Sequence, residues 1–204
     1  MICPRNKVLI KYQGSRWRDR MITPGGIELF LAPTSKVQTE DIKYEGIVLA
    51  VPATLTGYRK NDTEVRLKVG DNVWFHYNTM LREPAMEHEG DRVYECDYAD
   101  IFCFADDEGI YPIGDWVLVQ KEKDTMQLGG GLLVNPFEEI KKGQGIVWAI
   151  SPAAAQSLNT EDGPVTAGDR VFFPHDQGAF ENIIKDVPLW CVNASIIFAA
   201  EKVQ

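Results

Sequence analysis

Val69-Gly70-Asp71-Asn72-Val73-Trp74-Phe75 returns later in the chain as Ala167-Gly168-Asp169-Arg170-Val171-Phe172-Phe173. Each copy joins a Gly-Asp turn to a run of β-branched and aromatic residues, which is typical of a strand that follows a tight turn. Four more pairs of blocks repeat in the same order, at offsets between 95 and 109 residues: 7–11 with 116–120, 24–29 with 129–134, 44–51 with 143–150, and 100–105 with 195–200. Self-similarity of this kind indicates two copies of one small domain.

The apolar residues predict strands and little helix. Short apolar runs bounded by Gly, Pro, Asp or Asn recur at 8–10, 47–51, 73–75, 101–104, 117–119, 146–150, 171–173 and 196–200. Helical periodicity is not sustained over a dozen residues anywhere, and only 153–158 suggests a turn of helix. We therefore predict an all-β protein with a first domain at 1–105, a linker at 106–109 and a second domain at 110–204.

Composition limits the classes of partner. The 204 residues are 45% hydrophobic with a net charge of −9, and the acidic excess lies in the second half, where 106–204 carry 7 basic and 15 acidic side chains. An acidic surface is a poor match for the phosphate backbone of nucleic acids or for anionic membranes, so we expect neither partner. No apolar run of about 18 residues and no leader-like apolar segment occurs.

The cysteines indicate a reducing compartment. Cys3, Cys96, Cys103 and Cys191 are far apart and form no Cys-x-x-Cys pair, so buried reduced thiols are favoured over a disulfide framework or a zinc site. With no leader segment, this predicts a cytoplasmic protein.

The ordered blocks resemble the GroES-type co-chaperonins, the caps of chaperonin folding chambers. In that family a first strand leads into a long mobile loop that ends in Gly-Gly and an aliphatic tripeptide, followed by a Gly-x-Val-x-Ala-Val strand, a roof hairpin, a Val-Gly-Asp strand and a last strand. The second copy follows this order almost continuously from Gly114 onward, and the two copies together cover nearly the whole chain. The resemblance implies two tandem small β-barrel domains, similar to chloroplast co-chaperonins or to a viral relative, with roof hairpins at 52–64 and 152–163.

The second copy contains the clearer candidate docking loop. Residues 120–128 are polar, and the glycines that follow leave the backbone unrestrained, so we expect a segment that is mobile until it meets a partner. The aliphatic tripeptide suits a hydrophobic groove on that partner, although spacing alone fits a core strand equally well. The resemblance favours docking on a chaperonin through Gly130, Gly131, Leu132, Leu133 and Val134.

The first copy departs from the family pattern. Its candidate loop is 12–23, and its docking residues would be Gly25, Gly26, Ile27, Glu28 and Leu29, with a carboxylate in the middle of the tripeptide. Residues 16–20 also make this loop basic, either as a solvated excursion or to recognise acidic side chains. The second copy is therefore expected to dock.

The sequence offers no catalytic constellation. His76, His88 and His175 lack metal-ligand spacing, and we expect His76 and His175 to serve at the surface ends of strands. The glycine run has no downstream Gly-Lys-Ser/Thr, so no phosphate loop is present. The five tryptophans, Trp17, Trp74, Trp116, Trp148 and Trp190, are interpreted as core or interface aromatics. We predict no enzyme activity, no cofactor and no metal.

The resemblance implies a homo-oligomeric ring that docks on a GroEL-type chaperonin and encloses an unfolded substrate protein. Two alternatives stay open: a GroES-fold structural or adaptor ring that no longer docks, and an enzyme related to the medium-chain dehydrogenases, which lacks support because no nucleotide-binding βαβ segment is present. Because the two copies differ in charge and loop, the sequence favours two stacked tiers over one ring in which the copies alternate.

Overall fold

The structure is a computed structural model. It describes residues 3, 5–13, 20–22, 28–30, 44–56, 64–124, 139–160, 163–174 and 178–203, with backbone alone at 20–22, 28–30, 123–124 and 139–142. Its strands are β1 (Lys7–Tyr12), β2 (Arg20–Ile22), β3 (Glu28–Phe30), β4 (Glu45–Ala50), β5 (Asn72–Phe75), β6 (Met86–His88), β7 (Asp91–Asp97), β8 (Ile101–Ala105), β9 (Ile110–Pro112), β10 (Trp116–Asp124), β11 (Glu139–Ile150), β12 (Asn159–Thr160), β13 (Gly163–Pro164), β14 (Arg170–Phe172), β15 (Ala179–Ile184), β16 (Val187–Asn193) and β17 (Ala199–Glu201).

Helices are few and short, as predicted. The one α-helix described, α1 (Pro152–Ser157), is accompanied by 3₁₀ turns at Tyr77–Leu81, Tyr98–Asp100 and Ala194–Ile196. The all-β prediction is confirmed. No helix in the described ranges is long and apolar enough to cross a membrane.

Two antiparallel sheets account for most of the strands. The first has the order β6-β7-β1-β4-β5-β8-β9, and the second has the order β15-β16-β10-β11-β14-β17. Counted from β1 and β10, the two orders are the same up to the last position, where the first sheet has an additional strand. β2 with β3 and β12 with β13 form separate two-stranded ribbons.

The sequence repeat is visible in the register. Leu9 faces Ala50 in β1 and β4, as Leu118 faces Ala149 in β10 and β11, and both pairings shift at the next residue. Each Gly-Asp turn bonds to the strand before it: Gly70 N–H donates to the Val48 carbonyl over 2.9 Å and Gly168 N–H to the Val147 carbonyl over 2.8 Å. These bonds hold corresponding strands in the same place in both halves.

The last repeated block differs from the sequence alignment by one residue. Val73 faces Phe104 across β5 and β8, while Val171 faces Ala200 across β14 and β17. The offset there is therefore 96 rather than 95, and it makes Phe102 equivalent to Phe198. The apolar residues of both segments tolerate either alignment, so only the strand pairing decides between them.

Among the described residues, strand pairing does not form the expected closed barrels, because each sheet has a strand at either end that pairs on one side only. Each half nevertheless has its own core. In the first, Leu55 and Leu67 of irregular segments pack with Val8, Val48 and Phe75. In the second, Ala154 of α1 packs with strand residues that include Val117, Val171 and Trp190. Irregular chain and the helix thus close the side that a barrel would cover with strands.

The predicted linker is a hairpin turn between β8 and β9. The Asp106 side chain accepts the N–H groups of Glu108 and Gly109 over 2.8 and 2.9 Å. Cys103 then faces Pro112, so the first residues of the second half extend the sheet of the first. The division into domains at 105 and 110 stays a prediction.

Candidate functional site

The predicted docking loop of the second half lies between two paired strand ends. Asp124 at the end of β10 faces Glu139 at the start of β11, and the intervening chain carries the Gly-Gly-aliphatic sequence. Gly130, Gly131, Leu132, Leu133 and Val134 lie outside the described residues. The structure differs from the prediction for 120–124, which are paired strand rather than loop. The rest of the predicted loop, 125–128, lies outside the described residues.

In the first half, the candidate residues are divided by the boundary of the described chain. Gly25, Gly26 and Ile27 lie outside it, whereas the backbone of Glu28 and Leu29 is extended in β3, paired with β2. The structure differs from the predicted loop at 12–23 in two places, because Tyr12 ends β1 and Arg20–Ile22 form β2. The role of these residues in docking stays a prediction.

A close backbone approach ties the stem of the second loop. Gly145 in β11 faces Lys121 in β10, and a Cβ atom added at Gly145 would overlap the Gln120 carbonyl oxygen. Gly46 occupies the same place in the first half, where an added Cβ would lie 2.5 Å from the Lys11 carbonyl oxygen. Only glycine allows the strands to approach this closely without displacement.

Charged side chains brace the same stem. The Lys121 ammonium pairs with Glu181 and lies 5.2 Å from the centroid of the Trp190 ring. Arg170 donates from Nη2 to Glu122 over 3.0 Å and from Nη1 to Glu201 over 3.1 Å. The hydrogen bond to Glu122, followed by the one to Glu201, raises the pKa of Arg170. Arg170 of β14 thus bridges one carboxylate on β10 and one on β17 and links the three strands through charge-assisted hydrogen bonds.

At the other end of the β10–β11 pair, the predicted roof hairpin of the second half is α1 followed by the β12–β13 ribbon. Pro152 starts the helix, where its missing N–H costs nothing, and Ser151 caps it by accepting the Ala154 N–H over 3.0 Å. The Ser151 hydroxyl also donates to the Gly114 carbonyl oxygen, which anchors the roof to the start of β10. The equivalent roof of the first half includes 57–63, outside the described residues.

The histidine prediction is corrected by the structure. His76 is buried, 7% exposed, rather than placed at the surface. Its Nδ1 accepts the Asn78 N–H over 3.1 Å, and its ring lies edge-on to Phe180 of the second half at 4.1 Å between centroids. Burial lowers the pKa of His76, so the imidazole is neutral at physiological pH. His175 lies outside the described residues.

His76 belongs to a shared core where the two halves meet. Trp74, Phe102 and Cys103 of the first half pack with Trp116, Leu118, Ile184, Leu189 and Cys191 of the second. The Trp116 indole Nε1 donates to the Ala99 carbonyl over 3.0 Å, which adds a polar contact across the junction. The tryptophan interpretation is confirmed for Trp74, Trp116 and Trp190, while Trp148 is exposed and Trp17 lies outside the described residues.

The cysteines Cys96, Cys103 and Cys191 are buried free thiols, as predicted, and burial raises the pKa of each. Cys3 is half-buried and donates to the Lys7 carbonyl over 2.8 Å. Among the described residues, no group of three or more His, Cys, Asp or Glu side chains converges as metal ligands do. The site is thus a scaffold for loops, built from strands, paired charges and a roof.

Comparison with known families assigns this scaffold. Residues 109–200 match the model of the chaperonin 10 kDa subunit. This match supports a co-chaperonin family for the second half of the chain. Members of the chaperonin 10 family are not enzymes, and the family implies a chaperonin partner and a ring in general terms. Among curated proteins, none matches the chain closely enough to count as a relative. The match starts next to the hairpin turn and includes the 125–138 segment, so the clearer loop lies in the chaperonin 10 half.

Sequence reasoning missed the aromatic junction between the halves. Phe180 and Trp116 were visible only as isolated aromatics, and their partner Phe102 belongs to the block that was aligned one residue out of place. The repeat gave one signal of this junction, since the chaperonin 10 half starts directly after the last strand of the first half.

Proposed function

We propose that this chain is a non-enzymatic co-chaperonin that closes the folding chamber of an ATP-dependent, GroEL-type chaperonin over an unfolded substrate protein. The observation that carries the proposal is the chaperonin 10 match at 109–200 together with the position of the Gly-Gly-aliphatic sequence between Asp124 and Glu139. A hairpin braced at its stem can present such a segment away from the core of the ring.

The proposed docking contact is apolar. Leu132, Leu133 and Val134 would enter a hydrophobic groove on the chaperonin, and the preceding glycines would let the segment take the shape of that groove. Ordering such a segment on binding costs about 2–5 kcal/mol, which keeps each contact weak. Several loops on one ring then raise the overall avidity by about 10²–10⁴ without new contacts. Weak contacts of this kind permit release in each cycle.

The first half is proposed to be a second, divergent copy of the same domain. Its sheet has the same order and register as the chaperonin 10 half, and its Gly46 repeats the close approach of Gly145. ATP hydrolysis is assigned to the chaperonin, and the chain is proposed to act in the cytoplasm without cofactor or metal.

Co-sedimentation with a GroEL-type chaperonin, with and without ATP, tests the proposal. We expect the full chain to sediment with the chaperonin only when nucleotide is bound, and the double variant Leu132→Ser, Val134→Ser to lose binding while its oligomer and melting temperature stay unchanged. Val69→Ser is a matched control, because Val69 is an exposed aliphatic residue elsewhere. An intact oligomer that binds no chaperonin in any nucleotide state would instead support the adaptor ring.

A further inference from the structure

On the outer face of the second sheet, one arginine joins its polar neighbours. Arg170 points away from the core, because Val171 next to it packs inside. Its Nε donates to Glu122 Oε2 over 3.1 Å and its Nη2 donates to Oε1 over 3.0 Å. Gln144 Nε2 donates to the same carboxylate over 3.1 Å. Since β11 lies between β14 and β10, the Arg170 side chain reaches across a whole strand to this partner.

Strand register identifies the same three positions in the first half. Gly46 and Gly145 occupy the same place in the two sheets, and the pairings on either side of them match residue for residue. The positions equivalent to Glu122, Gln144 and Arg170 are, in that order, Gln13, Glu45 and Asn72. The first half therefore has a carboxylate on β4 instead of β1, and a short amide where the second half has its arginine.

A cavity of about 270 Å³ lies at this place in the first half. Its lining includes Gln13, Glu45 and Asn72, and from the second half it includes Lys185 and Asp186 of the turn between β15 and β16. Pockets for drug-sized ligands have volumes of about 300–1,000 Å³. The cavity therefore suits a smaller group, of the size of a side-chain end.

The polar side chains of the cavity have no partners in this structure. Among the residues that the structure describes, the side chains of Gln13, Glu45 and Asn72 make no hydrogen bond or ion pair. Glu45 is half-buried, so its carboxylate is partly shielded from water. The three equivalent side chains of the second half are all hydrogen-bonded. The first half thus keeps the acceptors of this arrangement and lacks its cation.

The turn that closes the cavity leaves its charge negative. Lys185 donates from its ammonium to the Asp106 carbonyl over 3.0 Å, at the turn between β8 and β9. Asp186, next to it, carries the opposite charge, so the charges of these two residues cancel. The carboxylate of Glu45 then decides the sign of the cavity. A cation complements that charge, whereas an anion would be repelled by two carboxylates.

We propose that this cavity binds a guanidinium group from a ligand, in the place that Arg170 occupies in the second half. Glu45 accepts two of its N–H groups in a parallel pair, and the side-chain carbonyl oxygens of Gln13 and Asn72 accept others. A guanidinium has five donors in a planar fork, whereas a lysine ammonium is a compact charge with three, so this set of acceptors favours arginine. The group could come from free arginine or from an arginine side chain of a partner protein.

Occupation of the cavity would also strengthen the junction between the halves. The site is lined by β4 and β5 of the first half and by the β15–β16 turn of the second. A bound guanidinium therefore contacts both halves at once and stabilises the folded chain, since a ligand that binds only the folded state raises its stability. This site is distinct from the proposed docking loop and does not depend on a chaperonin.

Thermal unfolding of the full chain tests the proposal, with no chaperonin present and at constant ionic strength. The probes are a blocked tripeptide with arginine between two glycines, the same peptide with neutral citrulline, and free arginine. We expect the arginine peptide to raise the melting temperature to a plateau and the citrulline peptide to leave it unchanged. Glu45→Gln should abolish the rise, whereas Glu83→Gln, at an exposed glutamate that does not line the cavity, should retain it. A rise with free arginine assigns the site to the free amino acid, and a rise with the peptide alone assigns it to a partner protein.

A second variant supplies the cation from within the chain. Asn72→Arg should raise the melting temperature of the free protein and remove its response to the arginine peptide, and adding Glu45→Gln should cancel that gain. The proposal is wrong if the parent responds to no arginine probe, if citrulline acts as well as arginine, or if Glu45→Gln or Asn72→Arg still responds like the parent. Such a failure would leave the proposed co-chaperonin function untouched, because no step of this experiment involves a chaperonin.

Discussion

The Lys202 ammonium donates to Asp169 Oδ2 over 2.7 Å and so ties the end of the chain to the Gly-Asp turn of the second half. Asp169 is 6% exposed and also accepts the backbone N–H and the hydroxyl of Thr166, over 2.7 and 3.1 Å. Burial acts to raise the pKa of Asp169, but these hydrogen bonds outweigh it and hold the pKa below its usual value. Folding therefore favours the ionised form of Asp169 over the protonated form.

The first prediction concerns this carboxylate. Because its folded pKa is depressed, its contribution to stability is complete above the unfolded pKa of about 3.9 and is lost as pH falls through the folded pKa. We expect Asp169→Asn to lower the free energy of unfolding by about 1–3 kcal/mol at pH 7, since the neutral amide loses the charge-assisted hydrogen bonds from Lys202 and Thr166. Urea titrations from pH 7 to pH 3 should show that the difference in the free energy of unfolding between the parent and Asp169→Asn becomes smaller in acid. Lys202→Met, which removes only one partner of Asp169, should give a smaller loss of stability. A difference between the parent and Asp169→Asn that does not change with pH would contradict the role given to the Asp169 carboxylate.

The second prediction concerns the close approach at the loop stem. Gly145→Ala places a methyl group against the Gln120 carbonyl, so β10 and β11 must separate or bend. We expect a loss of about 1–3 kcal/mol in chemical denaturation, as for other overpacked sites. Gly109→Ala is the matched control, because an added Cβ there meets only the Tyr111 ring at an ordinary 3.4 Å. Equal stability of the two variants would show that the stem tolerates separation.

The third prediction uses the buried histidine. Since burial lowers the folded pKa of His76 below that of the unfolded chain, the unfolded state binds more protons in the interval between the two values. Stability therefore falls as pH drops below about 6.5, with a slope of at most about 1.4 kcal/mol per pH unit from one group. His76→Asn keeps an acceptor for the Asn78 N–H and removes the titration. Its stability curve between pH 7 and pH 5 should be flatter than that of the parent, and parallel curves would exclude His76 as the source.

The fourth prediction separates the two candidate loops. If the second half docks, Leu132→Ser with Val134→Ser should abolish nucleotide-dependent binding to the chaperonin. Ile27→Ser with Leu29→Ser should weaken it only modestly, because Glu28 already interrupts that tripeptide. Binding isotherms for both pairs against the parent measure the difference. A larger loss from the first-half pair would assign docking to that half.

How far the sequence determined the strands depended on their environment. β1, β5 and β8 were predicted because their residues are apolar on both faces. β7 was missed because Asp91, Arg92, Glu95 and Asp97 leave only Val93 and Tyr94 as an apolar run, too short to stand out as a strand. β16 was missed because a proline such as Pro188 argues against a strand. In the structure, Pro188 lies opposite Ile183, close to the hairpin turn that joins β15 to β16.

The candidate site was predictable in its loops and unpredictable at its junction. A glycine run before aliphatic residues is a local pattern, so the tripeptide of the second copy could be predicted from its own stretch of sequence. The burial of Phe102 and the exposure of Phe198 cannot be predicted locally. Both residues are phenylalanine, and only the chain that follows each one decides whether it is covered. That difference depends on contacts between repeats, which no window of one repeat contains.

The shared core between the halves also bears on how the protein unfolds. A chain cut at the Asp106 turn would leave Trp116, Leu118 and Cys191 in water on one fragment and Phe102 on the other. Neither fragment would then be an autonomous module, despite the repeat that defines it. Calorimetry of the intact chain should give one cooperative transition instead of two, because each half depends on the other to cover its share of this core.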